Sequence, residues 1–174
     1  VDRKEGVKNA VRIMKESGCD ALKIEGGVEI LESVKRIIDA GIPVMAHLGL
    51  TPQSIHKFGS YAVRAKDDAE AEKLMSDALA MDKAGCFGIT LEKIPAKLAS
   101  EVTRNVKCAT IGIGAGNGCD GQVLVYADMM GLSRQKLPKF VRHYADLGAI
   151  MADAVGRYVA DVKSGSFPNE QESY

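Results

Sequence analysis

The stretch DALKIEGG, Asp20 to Gly27, places a lysine and a glutamate two residues apart, between apolar neighbours and just before two glycines. In an extended chain alternate residues share a face, so Lys23 and Glu25 point one way and Leu22 and Ile24 the other. A solvated pair on a half-exposed strand would account for the two charges, because exposed ion pairs are common and weak. Three further stretches shift the balance towards chemistry. VMAHLGL carries His47, GITLEKI carries Glu92 in phase with Thr90, and TIGIGAG ends in bare backbone at Gly114 and Gly116. Each has an ordinary alternative when taken singly. His47 could be a buried imidazole bonded to backbone, and Glu92 could pair with a helix residue. The glycine run fits the dinucleotide fingerprint poorly, because NGCDGQ follows where a third glycine and a helix start belong. It reads either as backbone closely approaching a ligand or cofactor or as a tight turn. Glu25 and Glu92 are hard oxygen donors that suit Mg²⁺, which takes one or two carboxylates together with water and substrate oxygens. They do not amount to a full protein cage.

The elements that must position these groups follow from periodicity. Val7, Ala10, Val11 and Met14 recur at helical spacing before Gly18, and Ile30, Leu31, Val34, Ile37 and Ile38 do so before Gly41. After each glycine comes a short apolar run: ALKIEGG, then IPVMAHLGL. CFGITLEKI follows a helix around Ala69 to Ala84, and CATIGIGAG follows one around Pro95 to Asn105. Strands alternating with helices at this rhythm form parallel β/α units, so the fold class is α/β. All four polar features then sit at the carboxyl ends of strands, the edge where loops of parallel architectures converge on a site. TPQSIHKFGSYAVRAKDD is too long for a plain connection and reads as a functional loop. A final helix, roughly Asp146 to Lys163, is expected to turn Leu147, Ile150, Met151, Ala154, Val155, Tyr158 and Val162 inward.

Composition limits the partners. The chain has 174 residues, 46% hydrophobic and 26% charged, which fits one globular domain over 1–174 with a substantial core. Lys plus Arg and Asp plus Glu are 23 each with no dense basic run, so neither nucleic acid nor an anionic membrane is expected; small molecules are. Cys19, Cys86, Cys108 and Cys119 show no C-x-x-C spacing, as expected of unpaired thiols in a reducing, cytoplasmic setting. There is no membrane-length apolar span and no signal-peptide pattern. The sequence opens on Val1 within a helical pattern, and the expectation is that an N-terminal portion is absent.

The motifs KIEGG, HLGLTPQS, LE-x-IP, IGIGAG, DGQVLV and LPKF occur in this order. With them the chain resembles, over essentially its whole length, the ketopantoate (3-methyl-2-oxobutanoate) hydroxymethyltransferase family. The resemblance implies a (β/α)₈ TIM barrel of the phosphoenolpyruvate-binding type. It implies transfer of a hydroxymethyl group from 5,10-methylenetetrahydrofolate to 3-methyl-2-oxobutanoate, giving 2-dehydropantoate for pantothenate and coenzyme A synthesis. Glu92 matches the family's general base, Lys23 the residue that holds the 2-oxo acid, and Glu25 a metal-site carboxylate acting through a water. His47 would stand beside the substrate and bind its carboxylate. Mg²⁺ or a similar divalent cation would stabilise the enolate as a Lewis acid. A large homo-oligomer such as a decamer is also implied, with the final helix available to pack against a neighbour.

The sequence departs from the family pattern in places. Tyr126-Ala127-Asp128 stands where a histidine is usual, Glu172 replaces the histidine of a C-terminal YPxxxHS motif, and Gly59-Ser60-Tyr61 replaces GGY. A (β/α)₈ barrel takes about 250 residues, and this chain offers five candidate strands, counting GQVLVYA. The family's first three strands carry two aspartates that bind the metal directly. The expectation is therefore the C-terminal portion of the barrel, with the first βα units missing and an N-terminal segment needed to complete it. The competing readings are a related 2-oxo acid lyase of the same barrel type, a truncated non-catalytic module, and a nucleotide-binding domain using GIGAGN.

Overall fold

Short apolar runs rich in β-branched residues and bounded by glycine or proline become strands, and the stretches between them with helical periodicity become helices. In a computed structural model, which describes residues 3–133 and 136–174, the first elements are α1 (Arg3–Ser17), β1 (Leu22–Glu25), α2 (Leu31–Asp39) and β2 (Val44–Gly49). A short α3 (Ile55–Phe58) lies in the long loop, followed by α4 (Asp68–Lys83), β3 (Gly88–Glu92), α5 (Ala96–Asn105), β4 (Ala109–Ile113) and β5 (Gly121–Gln122). Then come α6 (Tyr126–Met129) and α7 (Leu147–Ser164). The chain divides into two compact units, Val1–Val123 and Leu124–Tyr174.

In the first unit the strands form one sheet in the order β1-β2-β3-β4-β5, with every pairing parallel. Each strand lies beside its successor in the chain. Right-handed crossovers that always advance in one direction put the helices on one face, as in an arc of a (β/α)₈ barrel. A doubly wound sheet would instead reverse its order at a switch point. The fold is thus α/β, with five strands in barrel order.

The helix-covered face carries Val44, Ala46, Leu48, Ile89, Leu91 and Thr110, all at most 4% exposed. Val34 and Ile37 of α2, Leu74, Ala78 and Met81 of α4, and Ala99 and Val102 of α5 join the same core. The opposite face carries three rows set by the register. Lys23, Met45, Gly88 and Ala109 form the first, Glu25, His47, Thr90 and Ile111 the second, and Gly49, Glu92 and Ile113 the third. The polar residues belong to this second face.

Two expectations change. GQVLVYA contributes only Gly121–Gln122 as strand, and the chain turns into α6 at Tyr126. What holds so short a strand is a side-chain latch: Asp120 Oδ2 accepts from Thr110 N at 2.8 Å and from Thr110 Oγ1 at 3.0 Å. Thr110 Oγ1 accepts in turn from Asp120 N at 3.2 Å and pairs with Thr103 Oγ1 at 2.9 Å. The second change concerns α7. Of its expected inward residues, Leu147 is half-buried, while Ile150, Met151, Val155, Tyr158 and Val162 are 46–60% exposed and Ala154 is exposed too. Amphipathic spacing marks a face that wants an apolar partner; it does not say that the same unit supplies one. Asp146 caps the helix by accepting from Ala149 N at 3.1 Å.

All four cysteines are unpaired. Burial, and then the charge of Asp82, pushes the Cys86 thiol up to about 11. Burial, and then the Asp82 carboxylate, takes Cys108 to about 12. Both stay protonated and unreactive at neutral pH. Among the described residues no helix is long and apolar enough to cross a membrane.

Truncating Leu91, which is fully buried under the helix layer, is expected to cost about 2–5 kcal/mol, read from chemical denaturation of Leu91→Ala. The backbone N–H of Thr110, and then its hydroxyl, hold the Asp120 carboxyl below its ordinary value of 3.8. A depressed folded pKa contributes stability above the unfolded value, lost as pH falls through the folded one. Asp120→Asn should therefore be less stable than the unsubstituted protein at pH 7, and the gap should narrow as pH drops below about 3.8. Urea titrations at pH 7 and pH 3 would read the difference; a gap that widened in acid would refute the latch.

Candidate active site

Parallel register brings the chemistry together. Glu25 pairs with His47 across β1 and β2, and Glu92 pairs with Gly49 across β2 and β3, one step beyond His47 on the same face. His47 is 2% exposed, and the Glu25 and Glu92 side chains are 12% and 17% exposed. The imidazole lies between the carboxylates, with Nδ1 3.6 Å from Glu25 Oε1 and Nε2 3.0 Å from Glu92 Oε2. Neither ring nitrogen has an aligned hydrogen bond within the protein. These are charge-range approaches to a buried ring.

Backbone details place each group. Gly49 has φ +90°, and a Cβ there would lie 2.3 Å from the Glu92 carbonyl oxygen. Only glycine lets β2 turn away at this level while Leu50 N still donates to that oxygen at 2.8 Å. Lys93, directly after Glu92, has φ +51°, a conformation unfavourable by about 1–2 kcal/mol for a residue with a Cβ. Its N–H reaches Ile113 O at 2.8 Å, and its carbonyl accepts from Arg64 N at 2.9 Å.

The long loop after β2 folds back over these strand ends. Gln53 N donates to Glu25 Oε2 at 2.9 Å, occupying the oxygen that does not face His47. Farther along, the Arg64 guanidinium lies 4.2 Å from the centre of the Phe58 ring and pairs with Glu70. Glu70 also accepts from Ala65 N at 2.7 Å. The loop is thus fastened to α4 and to the end of β3. Beneath it lies a cavity of about 340 Å³ lined by His47, Gly49, Thr51, Phe58 and Arg64 among others. Most of its charged walls are mutually paired, Lys73 with Glu29 and Asp77, and Arg64 with Glu70, while Lys57 adds a further cation to the lining. Neither Glu25 nor Glu92 lines it, so the carboxylate–histidine cluster borders this cavity through His47 alone.

Of the residues singled out in the sequence, the structure gathers Glu25, His47 and Glu92. Lys23 lies on the same face one row nearer the amino ends, paired with Met45 and exposed. Gly114 and Gly116 follow β4 at the carboxyl edge, with φ +63° and +77°. A Cβ on Gly116 would lie 2.4 Å from Ala96 Cβ, so the close approach it permits is to the start of α5. No helix begins between Gly114 and Gly121. The helix N-terminus on which a dinucleotide pyrophosphate would rest is therefore missing, and the sheet has no switch point for such a ligand. Sequence reading did not single out the Gln53 N–H, which is a main-chain donor and has no side-chain signal, or the space requirement at Gly49.

Among the described residues no group of three or more His, Cys, Asp or Glu side chains could hold a metal ion. The carboxylate of Glu25, with one oxygen bound to Gln53 N, is a hard oxygen donor that would suit the hydration shell of a divalent cation rather than form a cage by itself.

The family model described as ketopantoate hydroxymethyltransferase matches residues 1–170. A 3-methyl-2-oxobutanoate hydroxymethyltransferase of Bacteroides fragilis is 61% identical over 170 residues, covering 98% of this chain and 62% of that protein. The enzyme of the same name from Prosthecochloris aestuarii is 61% identical, with 98% and 61% covered. The one from Flavobacterium johnsoniae is 58% identical over 173 residues, with 99% and 64% covered. The chain thus spans somewhat under two thirds of the length of these curated relatives. With the family model matched almost from end to end, this chain belongs to the ketopantoate hydroxymethyltransferase family.

Proposed function

We propose that the carboxyl-edge cluster serves a 3-methyl-2-oxobutanoate hydroxymethyltransferase, which moves a hydroxymethyl group from 5,10-methylenetetrahydrofolate to 3-methyl-2-oxobutanoate and so forms 2-dehydropantoate for pantothenate synthesis. The observation that carries the reading is the meeting of Glu25 and Glu92, from separate strands, on either side of one buried histidine.

The substrate's C3 proton is α to a ketone. Glu92 accepts it at a carboxylate oxygen, which calls for a base on a rigid strand end, within hydrogen-bond reach. Lys23 and His47 line the place of the 2-oxo acid, Lys23 with its ammonium towards the acid's oxygens. Glu25 holds a water of a divalent cation, Mg²⁺ or a near relative. When bound, that cation supplies positive charge to the keto and carboxylate oxygens as a Lewis acid. The long loop, fixed to Glu25 through Gln53 N, limits the water around the acid–base pair. Gly114 and Gly116, at the same sheet edge, are the proposed backbone beside the folate.

The activity belongs to a complete barrel. Three further parallel strands, carrying the direct metal ligands, would come from an N-terminal segment beyond these residues. Assembly as a homo-oligomer, a decamer in the family pattern, is supported by the apolar row on α7, and the unpaired thiols favour a reducing, cytoplasmic setting.

The test uses the full polypeptide that carries this chain, assayed with 3-methyl-2-oxobutanoate, methylenetetrahydrofolate and Mg²⁺. Glu92→Gln is expected to lower kcat by about 10²–10⁴-fold, the usual contribution of a positioned base. Equal rates from both proteins would remove Glu92 as the base. Carbon–carbon cleavage in place of transfer would assign the site to a lyase.

A further inference from the structure

We propose that His47 is a positioning residue, which holds the Glu92 carboxylate over the reacting carbon and does not itself bind the substrate's carboxylate. This inference rests on the reading just given.

A glutamate at a strand end has three rotatable side-chain bonds, so its carboxylate is aimed only if something touches it. Among the described residues the side-chain partner of Glu92 is the His47 Nε2, at 3.0 Å. The ring is itself fixed. It is 2% exposed, in the middle of a paired strand, and its other nitrogen faces Glu25 Oε1 at 3.6 Å. Glu25 is fixed through its second oxygen by Gln53 N at 2.9 Å. The result is one continuous line: main chain of the long loop, Glu25, His47, Glu92.

Both imidazole nitrogens therefore have a protein carboxylate as a near neighbour, within charge range and without an aligned hydrogen bond. Register enforces this. Glu25 is the cross-strand neighbour of His47 on one side, and Glu92 lies one step above it on the other. A ring confined between two strands cannot swing towards a ligand without leaving its row. Nor can asparagine or glutamine stand in for both nitrogens at once. An asparagine amide reaches about as far as Nδ1 and a glutamine amide about as far as Nε2, so the two substitutions separate the Glu25 contact from the Glu92 contact.

The closing experiment measures deuterium incorporation at C3 of 3-methyl-2-oxobutanoate in D₂O, by NMR, without folate, in the full polypeptide with Mg²⁺. In this partial reaction the C3–H bond breaks, its electron pair moves towards the ketone and the proton passes to Glu92; the carboxyl proton exchanges with D₂O, and the returning electron pair takes a deuteron to form C3–D. His47→Asn should lower the exchange kcat by about 10²-fold, as a displacement on the order of 1 Å does, with KM for the 2-oxo acid changed less than about twofold. His47→Gln, which restores a donor beside Glu92, should recover kcat to within about tenfold. Circular dichroism confirms that each variant folds; if His47→Asn does not, His47→Gln alone decides, through its kcat and KM. A KM raised tenfold or more with kcat retained would overturn the proposal in favour of direct substrate binding, as would two folded variants that are equally slow or equally unimpaired. No exchange in the unsubstituted protein would remove the functional reading itself, and the proposal with it.

Discussion

The parallel register of β1, β2 and β3 is the constraint on which the rest depends. Side chains alternate faces with a period of two, so a slip of one residue in β1 would carry Lys23 and Glu25 under the helix layer and bring Leu22 and Ile24 to the polar face. Burying two charges among Val34, Ala46 and Ile89 would cost several kcal/mol each. The same apolar contacts that stabilise the outer layer therefore specify which side chains meet on the inner one. Glu25, His47 and Glu92 converge because their neighbours in sequence are Ile24, Ala46, Leu48 and Leu91, which have no comparably stable alternative.

Around that register, backbone features finish the site. Gly49 permits a main-chain approach that any Cβ would block, and Lys93 takes a conformation that favours glycine immediately after the candidate base. Such strain persists only where surrounding hydrogen bonds determine the conformation, and here the Lys93 N–H and carbonyl are both engaged. The loop from Thr51 to Asp67 is held by the Arg64–Glu70–Phe58 cluster and, at the other end, by Gln53 N on Glu25. A loop of this length is usually a mobile part of a fold. In this protein its side-chain contacts make it an extension of the sheet edge.

The second unit follows a different logic. Its longest helix carries Ile150, Met151, Val155 and Val162 exposed, and Tyr158, also largely exposed, meets Phe167 edge-on at 5.4 Å. The main-chain bonds from Tyr144 N to Met129 O and from Leu147 N to Met130 O tie the helix to α6, and they do so without using those side chains. The first unit, by itself, has a buried helix-covered face and an opposite face that carries Lys23, Glu25, His47, Thr90 and Glu92.

Much of this was legible in the residues. Alternation of glycine-bounded apolar runs with helical periods determined α/β class and parallel pairing, because those patterns depend only on which residues avoid water along a period of two or 3.6. Motif order identified the family and pointed to Glu25, His47 and Glu92 as one site. What local pattern could not decide was distance. Whether His47 would touch the substrate or the two carboxylates depends on cross-strand register; whether Gly116 faces a ligand or Ala96 depends on where α5 begins. GQVLVYA is strand-like by composition, yet only Gly121–Gln122 pair with β4, and the chain leaves the sheet to enter α6 at Tyr126. The apolar stripe of α7 was equally plain in the sequence. Its exposure was decided in three dimensions, since periodicity reports that a face avoids water and carries no information on which surface will cover it.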